Sequence, residues 1–330
     1  MSLNQAALRI AEPLAARAAA LGIVCHAIGG ARVIDCGVAA PGGLDAGLAM
    51  AHAALAGLGR VAVVPAGGAG LGAAWRDCPW PVVTVASEEP VAACLAAQYA
   101  GWKVSAEGYF AMASGPLRAA IGREEIFDAI GRRERPDVAV GILEASALPP
   151  AEVCRSLAAA AGVQPDRLTL LVARTASPAG MLQVVARSLE TALHKLHDLG
   201  FDLSRVQRGH GAAPLAAVPL DAGRPDDLVA IGLTNDAILY GGHVVLEVAG
   251  PEADLVAIGP RMVSRASPSC GEPFLALFER AGRDFYALDP ALFAPALVDL
   301  VSVATGRTHR FGGLDAALVA RSFGGPPDAA

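Results

Sequence analysis

The sequence lacks the features that would assign it to several common classes of protein. Aromatic residues make up only 5% of the 330 residues and charged residues 18%, and the formal net charge is −6. With no basic stripe to neutralise phosphates, we expect no nucleic-acid partner. No uninterrupted apolar run reaches the roughly 18 residues that span a bilayer, so we expect no membrane partner. Arg9, Glu12 and Arg17 interrupt the apolar N-terminal segment, which predicts an amphipathic helix rather than a signal peptide and a cytoplasmic protein.

Residue patterns that bind metals or form disulfide frameworks are also missing. No two of the six cysteines form a C-x-x-C pair, and their scatter is unlike a zinc site or a disulfide framework. We expect buried, reduced thiols. His194 and His197 lie three residues apart but have no third ligand nearby, which is more typical of surface residues than of a metal site. We therefore predict no metal.

Two apparent catalytic or cofactor motifs lack the context that their chemistry needs. Residues 68–73 fit a loose G-x-G-x-x-G/A pattern after a strand, but Pro79 and Pro81 prevent the helix that would receive a pyrophosphate. A flexible glycine loop is the better interpretation, and a nicotinamide dehydrogenase is not supported. Ser114 lies between alanine and glycine rather than in a G-x-S-x-G elbow, so a serine hydrolase is not supported either.

The sequence does contain ample material for a folded α/β protein. Hydrophobic residues make up 54% of the chain, and short apolar runs alternate with longer helical patterns. We predict mixed sheets with flanking helices. The predicted strands are 23–24, 31–36, 61–64, 82–87, 102–104, 137–145, 168–172, 243–248, 284–289 and 300–304, followed by a closing hairpin at 306–311. The predicted helices are 44–58, 90–101, 151–161, 180–200 and 273–281.

A length of 330 residues suggests two α/β lobes with a ligand cleft between them. The most charged stretch, 122–135, ends before Pro136, and we interpret it as an exposed helix end and linker. We therefore predict an N-terminal lobe at 1–135 and a C-terminal lobe at 136–330, with the alternative that the C-terminal segment packs back on the first lobe.

Two places carry ionisable residues in suggestive positions. Within the predicted helix 180–200, Arg187 and Glu190 lie three residues apart, away from the apolar face. They form either a weak, solvated ion pair or a catalytic pair in which Glu190 handles a water; the helix alone leaves both open. Glu144 ends a buried strand, and ligands of open α/β sheets bind at the carboxyl ends of strands. A cap is the equal alternative for Glu144.

Several long motifs together resemble one family. They are VIDCG at 33–37, CLAAQYAGW at 94–102, YFAMASGPLRA at 109–119, QVVARSLETALHK at 183–195, LTNDAILYGG at 233–242 and DFYALDPALFAPA at 284–296. The chain resembles the methenyltetrahydromethanopterin cyclohydrolases from about residue 34 to residue 323, and the QYAGW form resembles the bacterial, methylotroph-type branch. The archaeal branch tends to carry a lysine where Tyr99 stands, so any role of that lysine is not implied here.

The resemblance implies a cytoplasmic homotrimer of two-domain subunits, with a pterin bound between the domains and no metal or redox cofactor. The implied reaction is reversible hydrolysis of 5,10-methenyltetrahydromethanopterin to the 5-formyl form, in one-carbon transfer between formaldehyde and formate. Because the methenyl carbon is already electrophilic, the chemistry needs an oriented water and a proton acceptor. The family's R-x-x-E pair matches Arg187 and Glu190, which implies that Glu190 is the general base and that Arg187 keeps it ionised.

Other polar residues in these motifs are candidates for contacts with the pterin and its side chain. They are Gln98, Ser114, Gly115, Arg118, Glu144, Thr234, Asn235, Asp236 and Tyr240, each with a structural role as the alternative.

Two stretches depart from the family pattern. Arg174 stands where a proline is expected, and the turn predicted at 208–211 carries Arg208 and His210 where small, uncharged residues are expected. These departures leave a second hypothesis, a non-catalytic tetrahydromethanopterin-binding carrier or regulator, although retention of Arg187 and Glu190 favours the enzyme.

Overall fold

A computed structural model describes residues 1–68, 71–72 and 75–324. The chain forms two compact units, each assembled from separate stretches of sequence: residues 1–60 with 91–184, and residues 61–90 with 185–330. The predicted mixed α/β class is confirmed. Within the described residues, no helix has the length and apolar character needed to cross a membrane.

The strands are numbered in chain order. They are β1 (Val24–Ile28), β2 (Ala31–Gly37), β3 (Gly59–Val64), β4 (Val82–Ser87), β5 (Trp102–Ala106), β6 (Tyr109–Ser114), β7 (Ala139–Glu144), β8 (Leu168–Ala173), β9 (Val206–Pro214), β10 (Leu220–Asp221), β11 (Arg224–Pro225), β12 (His243–Val248), β13 (Leu297–Ser302) and β14 (Thr308–Gly312).

The helices are numbered in the same way. They are α1 (Leu3–Ala11), α2 (Ala18–Leu21), α3 (Leu44–Ala54), α4 (Leu117–Ile121), α5 (Ile126–Ile130), α6 (Ala151–Ala161), α7 (Pro178–Val185), α8 (Ser188–Asp198), α9 (Asp227–Leu239), α10 (Glu252–Ile258), α11 (Phe274–Arg280) and α12 (Ala316–Ser322). The segment Val91–Gln98 is wound as a π-helix. The predicted domain boundary after residue 135 falls inside the first unit, between α5 and β7.

The first unit is built on a six-stranded sheet in the order β1-β2-β8-β7-β6-β5. Its three central strands, β2, β8 and β7, are parallel, and the outer strands pair antiparallel. A core lies on each face of this sheet: one joins it to α6, and the other joins it to α1 and α3. Because parallel strands end at the same edge, the segments that follow β2, β7 and β8 lie together.

The second unit contains a six-stranded sheet in the order β14-β13-β12-β9-β4-β3. Strand β12 is parallel to β13, while β9 runs antiparallel to both of its neighbours, β12 and β4. Helices α9, α11 and α12 form a separate aromatic-rich core around Phe274, Phe278 and Tyr240. In this unit, α8 packs against the sheet, and α9 packs against α11 and α12.

Four predictions of secondary structure need correction. The single helix predicted at 180–200 is two helices, because the backbone leaves the helix at Ala186 and Arg187. The turn predicted at 208–211 lies inside the extended strand β9. The strand predicted at 284–289 is a short 3₁₀ turn, in which the Asp284 side chain accepts from the backbone N–H of Tyr286. Helix α9 was not predicted.

The missed helix and the missed break have separate physical reasons. Helix α9 carries apolar residues on all sides, so it shows no apolar stripe of period 3.6. Ala186 and Arg187 are good helix formers, and the break lies just after residue 184, where the chain passes from one unit to the other.

Of the glycine pattern at 68–73, residues 69, 70 and 73 lie outside the described part of the chain.

Candidate active site

Arg187 and Glu190 lie at the start of α8. Arg187 is the N-cap residue, with φ −90° and ψ 6°, and Glu190 is the third residue of the helix. Their exposed fractions are only 7% and 6%. These values do not fit a solvated surface pair, because both charged groups have lost most of their water. A buried arginine and glutamate in one helical turn are typical of a functional or a structural polar site.

Hydrogen bonds hold both ends of α8. The carbonyl oxygen of Arg187 accepts from the backbone nitrogen of Thr191 at 2.8 Å and from its hydroxyl at 3.0 Å. Toward the other end, Nζ of Lys195 donates to the carbonyl oxygen of Pro290 at 2.5 Å. Burial lowers the pKa of Lys195 from its ordinary value, and nearby Asp198 and Asp289 partly oppose that shift. The first turn of α8 is therefore a fixed support for its side chains.

Glu144 lies at the carboxyl end of β7, as predicted, and is joined to the segment that follows β8. Its Oε1 accepts from the hydroxyl of Thr175 at 2.5 Å, and its Oε2 lies 3.4 Å from Nε2 of Gln183. Glu144 is partly buried. A half-buried carboxylate at the shared edge of parallel strands has the position expected of a ligand contact in an α/β sheet.

Asp35, near the end of β2, is a structural anchor that the sequence reasoning missed. Its side chain is fully buried, and its two carboxylate oxygens accept four backbone N–H groups, from Gly37, Val38, Ala39 and Ala40, at 2.7–3.0 Å. This network fixes the loop that follows β2 at the same edge as Glu144. An aspartate directly before a run of small residues is a known signal for such a turn and could have identified it.

Three other candidates, Gln98, Ser114 and Gly115, also lie in the first unit. Gln98 is the last residue of the π-helix and is fully buried. Ser114, on β6, pairs with Ile142 on β7. Ile142 lies two residues before Glu144, which is at the carboxyl end of β7. Gly115 adopts φ +88°, and a Cβ there would lie 3.2 Å from the backbone nitrogen of Ile142. The structure thus gives Gly115 a turn-forming role.

Arg118 is fully engaged inside the protein. Its guanidinium makes a two-pronged pair with Glu124, with Nε–Oε2 at 2.9 Å and Nη2–Oε1 at 2.8 Å, and its Nη1 donates to the carbonyl oxygen of Leu95 at 3.3 Å. The same group lies 4.5 Å from the ring centre of Tyr99 and 5.3 Å from that of Phe127. These contacts tie α4 to the π-helix and to α5.

The candidates on α9 bond mainly to their own helix or to neighbouring helices. Thr234 and Asn235 donate to backbone carbonyls one turn earlier. Asp236 accepts from the backbone nitrogen of Phe274 at 2.8 Å and from the hydroxyl of Ser322 at 2.5 Å. Tyr240 donates to the carbonyl oxygen of Glu272 at 2.6 Å.

Burial shifts the acidity of two of these groups. It raises the pKa of Asp236 to about 6 and the pKa of Tyr240 to about 12. Asp236 and Tyr240 therefore link α9 to the segments around α11 and α12. The sequence motif had suggested a ligand contact for these residues, and that role stays a prediction.

The structure brings the predicted site residues together in small groups. In one unit, Arg187 lies with Glu190 at the start of α8; in the other, Glu144 lies with Thr175 and Gln183. Among the residues that the structure describes, no three His, Cys, Asp or Glu side chains are arranged to hold a metal ion. The fold is of the α/β class, and buried ionisable groups of this kind are enriched at the active sites of enzymes.

Comparison with known proteins identifies the family. A family model described as Cyclohydrolase (MCH) matches residues 2–323. Proteins named methenyltetrahydromethanopterin cyclohydrolase are 44% identical in Methylobacterium sp. (strain 4-46), over 98% of this chain and 97% of the relative, and 44% identical in Xanthobacter autotrophicus, over 89% and 84%. The same-named protein of Methylobacillus flagellatus is 40% identical over 98% and 95%. The chain belongs to the methenyltetrahydromethanopterin cyclohydrolase family, and the predicted resemblance is confirmed.

Proposed function

We propose that this protein catalyses the reversible hydrolysis of 5,10-methenyltetrahydromethanopterin to 5-formyltetrahydromethanopterin. The observation that carries the proposal is the burial of both Arg187 and Glu190 in the first turn of α8, in a chain whose family and relatives bear the name of this activity. A buried, ionisable pair on a rigid helix is well suited to orient one water molecule and take its proton.

The proposed reaction requires only an oriented water molecule and a group that accepts its proton. The methenyl carbon belongs to a cationic amidinium, so it is electrophilic without a metal. The water oxygen bonds to this carbon while Glu190 removes one of its two protons, which leaves a neutral, hydroxyl-bearing carbon. The hydroxyl then loses the second proton as the carbon–oxygen double bond forms and the carbon–nitrogen bond to N10 breaks, and N10 receives one of the two protons. The products are the 5-formyl pterin and one released proton. No electrons are transferred, and the proposal includes no redox cofactor.

Arg187 has an electrostatic role in this proposal. A carboxylate in a dry environment tends to take up a proton, and a guanidinium in the same helical turn opposes that tendency. An ionised Glu190 also attracts the cationic substrate. Lysine at position 187 would retain the charge but not the planar, forked geometry of the guanidinium.

The remaining contacts to the pterin are assigned as part of the same proposal. Glu144 has the most suitable position, because it is half-buried at the carboxyl edge of parallel strands. The other proposed contacts are Gln98, Ser114, Gly115, Arg118, Thr234, Asn235, Asp236 and Tyr240. The family membership also supports a cytoplasmic homotrimer, for which sedimentation should give about three times the chain mass of 33.4 kDa.

The decisive experiment follows the loss of the methenyl chromophore. Purified wild-type protein is mixed with methenyltetrahydromethanopterin, and methenyltetrahydrofolate serves as the substrate control. We expect fast loss with the first and little with the second. Glu190→Gln should lower kcat by about 100-fold or more while circular dichroism remains that of wild type.

The other outcomes separate the alternatives. Binding of the pterin without hydrolysis by the wild-type protein would favour a non-catalytic carrier or regulator. A Glu190→Gln variant as fast as wild type would exclude Glu190 as the base, whatever the substrate. Arg187→Lys should lower kcat more than it weakens substrate binding, since lysine keeps the positive charge but changes its geometry.

A further inference from the structure

Strand β9 presents different side chains to its two faces. Arg208 and His210 are exposed, whereas Gly209 and Gly211 are buried and face α8. This alternation is the normal period of a strand. Arg208 pairs with Glu88 at 2.5 Å and with Glu247 at 3.2 Å on the exposed face. Arg208 and His210, which depart from the family pattern, therefore lie on the exposed face of β9, and the two glycines that alternate with them, Gly209 and Gly211, face α8.

Gly211 lies directly against the backbone of the first turn of α8. A Cβ atom at position 211 would lie 2.5 Å from Oγ of Ser188 and 2.8 Å from the backbone nitrogen of Leu189. It would also lie 3.0 Å from Cγ1 of Val85 on the adjacent strand β4. Non-bonded carbon atoms normally sit about 3.5–4.0 Å from their neighbours. Since a backbone nitrogen cannot rotate away as a side chain can, a methyl group at this position requires a change in the spacing between the first turn of α8 and β9.

The two residues of α8 that lie against Gly211, Ser188 and Leu189, are the ones between Arg187 and Glu190. Ser188 and Leu189 are both fully buried. Thr191 binds the carbonyl oxygen of Arg187 through both its nitrogen and its hydroxyl, which closes the first turn into one unit. A displacement at Leu189 is consequently passed to the backbone of both Arg187 and Glu190.

We propose that Gly211 is a positioning residue for the Arg187–Glu190 pair: by having no side chain, it lets the first turn of α8 rest on β9 and so fixes where Glu190 holds the attacking water. This inference rests on the proposed function and adds to it a residue about 20 positions further along the chain, in a strand. A misplacement of about 1 Å at a reacting group can lower the rate about 100-fold.

Gly209 is a second position at which an alanine substitution should disturb α8, but to a smaller extent. A Cβ there would lie 2.6 Å from Cδ1 and 3.2 Å from Cδ2 of Leu189, which are the ends of a side chain that can rotate. Gly209→Ala should therefore disturb α8 less than Gly211→Ala does.

Gly259 offers a matched control in the same unit. A Cβ at Gly259 would lie 2.1 Å from the ring of Phe311, on β14, and its backbone has φ −53°, which alanine adopts easily. Gly259→Ala thus introduces a packing conflict with a side chain, as Gly209→Ala does, at a position whose three nearest atoms lie in neither α8 nor β9.

The test compares kcat, KM and melting temperature for the three alanine variants. Gly211→Ala should lower kcat about 100-fold with KM changed less than about threefold, and Gly209→Ala should lower kcat about tenfold. Gly259→Ala should lower the melting temperature and leave kcat unchanged. A folded Gly211→Ala variant with wild-type kcat would overturn the proposal. If Gly211→Ala does not fold, Gly209→Ala decides: a fall in kcat at constant KM supports the proposal, and wild-type kcat overturns it.

A second substitution and a parallel measurement separate the possible failures. Adding Ser188→Ala to Gly211→Ala removes only the hydroxyl, and the conflict with the Leu189 nitrogen remains, so kcat should not recover. Recovery of kcat in the double variant would show that the conflict with the Ser188 hydroxyl causes the loss. That result would overturn the argument that the Leu189 backbone nitrogen transmits the change. Glu190→Gln is measured alongside: if it is inactive while Gly211→Ala is fully active, only the positioning role fails; if it is fully active, the proposed function of the pair fails.

Discussion

Thr175 donates its hydroxyl to the carboxylate of Glu144, with Oγ1 and Oε1 2.5 Å apart. This bond joins the carboxyl ends of β7 and β8, two neighbouring parallel strands. The two residues are 31 positions apart in the chain, so the sheet alone brings them together. The bond orients Glu144 at the edge where α/β sheets bind their ligands.

Glu144→Gln should weaken substrate binding more than it slows the reaction. The substitution removes a negative charge that attracts a cationic pterin, so we expect KM to rise about tenfold with kcat within about threefold of wild type. Steady-state kinetics measures both. Thr175→Val is the matched control, because it removes the hydrogen bond but keeps the charge, and it should change KM less. An unchanged KM in Glu144→Gln would remove Glu144 from the proposed contacts.

Arg118→Lys should lower stability, because lysine cannot form the two-pronged pair with Glu124 or lie flat over Tyr99. We expect the free energy of unfolding to fall by about 2 kcal/mol in urea titrations, since the arginine is buried and three of its nitrogens are bonded. Arg133→Lys, in an exposed pair with Asp128, is the control and should not measurably shift the midpoint. Equal effects of the two substitutions would contradict the structural role of Arg118.

Asp236→Asn should change how stability depends on pH. Burial raises the folded-state pKa of Asp236 to about 6, above the value of 3.8 expected in the unfolded chain. The folded state therefore binds more protons between these pH values, and stability falls as pH rises from about 4 to about 6. The two pKa values differ by an amount equivalent to about 3 kcal/mol, as an order of magnitude.

Asparagine at position 236 can accept from Phe274 and donate to Ser322 without carrying a charge. The variant should therefore be more stable than wild type at pH 7, and this advantage should disappear below about pH 4. Unfolding titrations across this range measure the difference. Asp221→Asn, at an exposed position on β10, should leave the curve unchanged. An Asp236→Asn variant with no advantage at pH 7 would contradict a buried, charged carboxylate.

Asp35→Asn should destabilise the first unit. One carbonyl oxygen cannot replace two carboxylate oxygens that accept four backbone N–H groups, and the amide NH₂ would face donors. Because hydrogen bonds to charged groups are strong, we expect a loss of about 3 kcal/mol in the free energy of unfolding. Asp45→Asn, at an exposed position in the first turn of α3, is the control. Similar losses in both variants would show that the four bonds contribute little.

Elements that are bounded by local signals could be predicted closely from the sequence. Strand β4 and helix α6 have the predicted bounds, because Pro81 precedes one and Pro150 and Gly162 flank the other. The hairpin of β1 and β2 turns at Gly29 and Gly30, where the paired glycines predicted it. In each case the decisive residues lie within the element or next to it.

Features that depend on residues distant in the chain could not be predicted in this way. The burial of Glu190 results from packing of the whole unit, and the close approach of Gly211 to Leu189 joins residues 22 positions apart (211 − 189). The helix pattern at 180–200 is continuous in sequence, and its break lies just after residue 184, where the chain passes from the first unit to the second. Family motifs pointed to Arg187 and Glu190, whereas Asp35 was part of the VIDCG motif but was given no role.

The division of the chain into interleaved stretches has a consequence for synthesis. The ribosome completes the first unit only after residue 184, and by then it has already made residues 61–90, which belong to the second unit. Strand β4 pairs with β9, so it must wait for residues 206–214 before that ladder can form. An apolar strand is thus left without this partner on the nascent chain for more than a hundred residues of translation. At about 5–20 residues per second that interval lasts about 6–24 s, during which the strand is open to association with other chains.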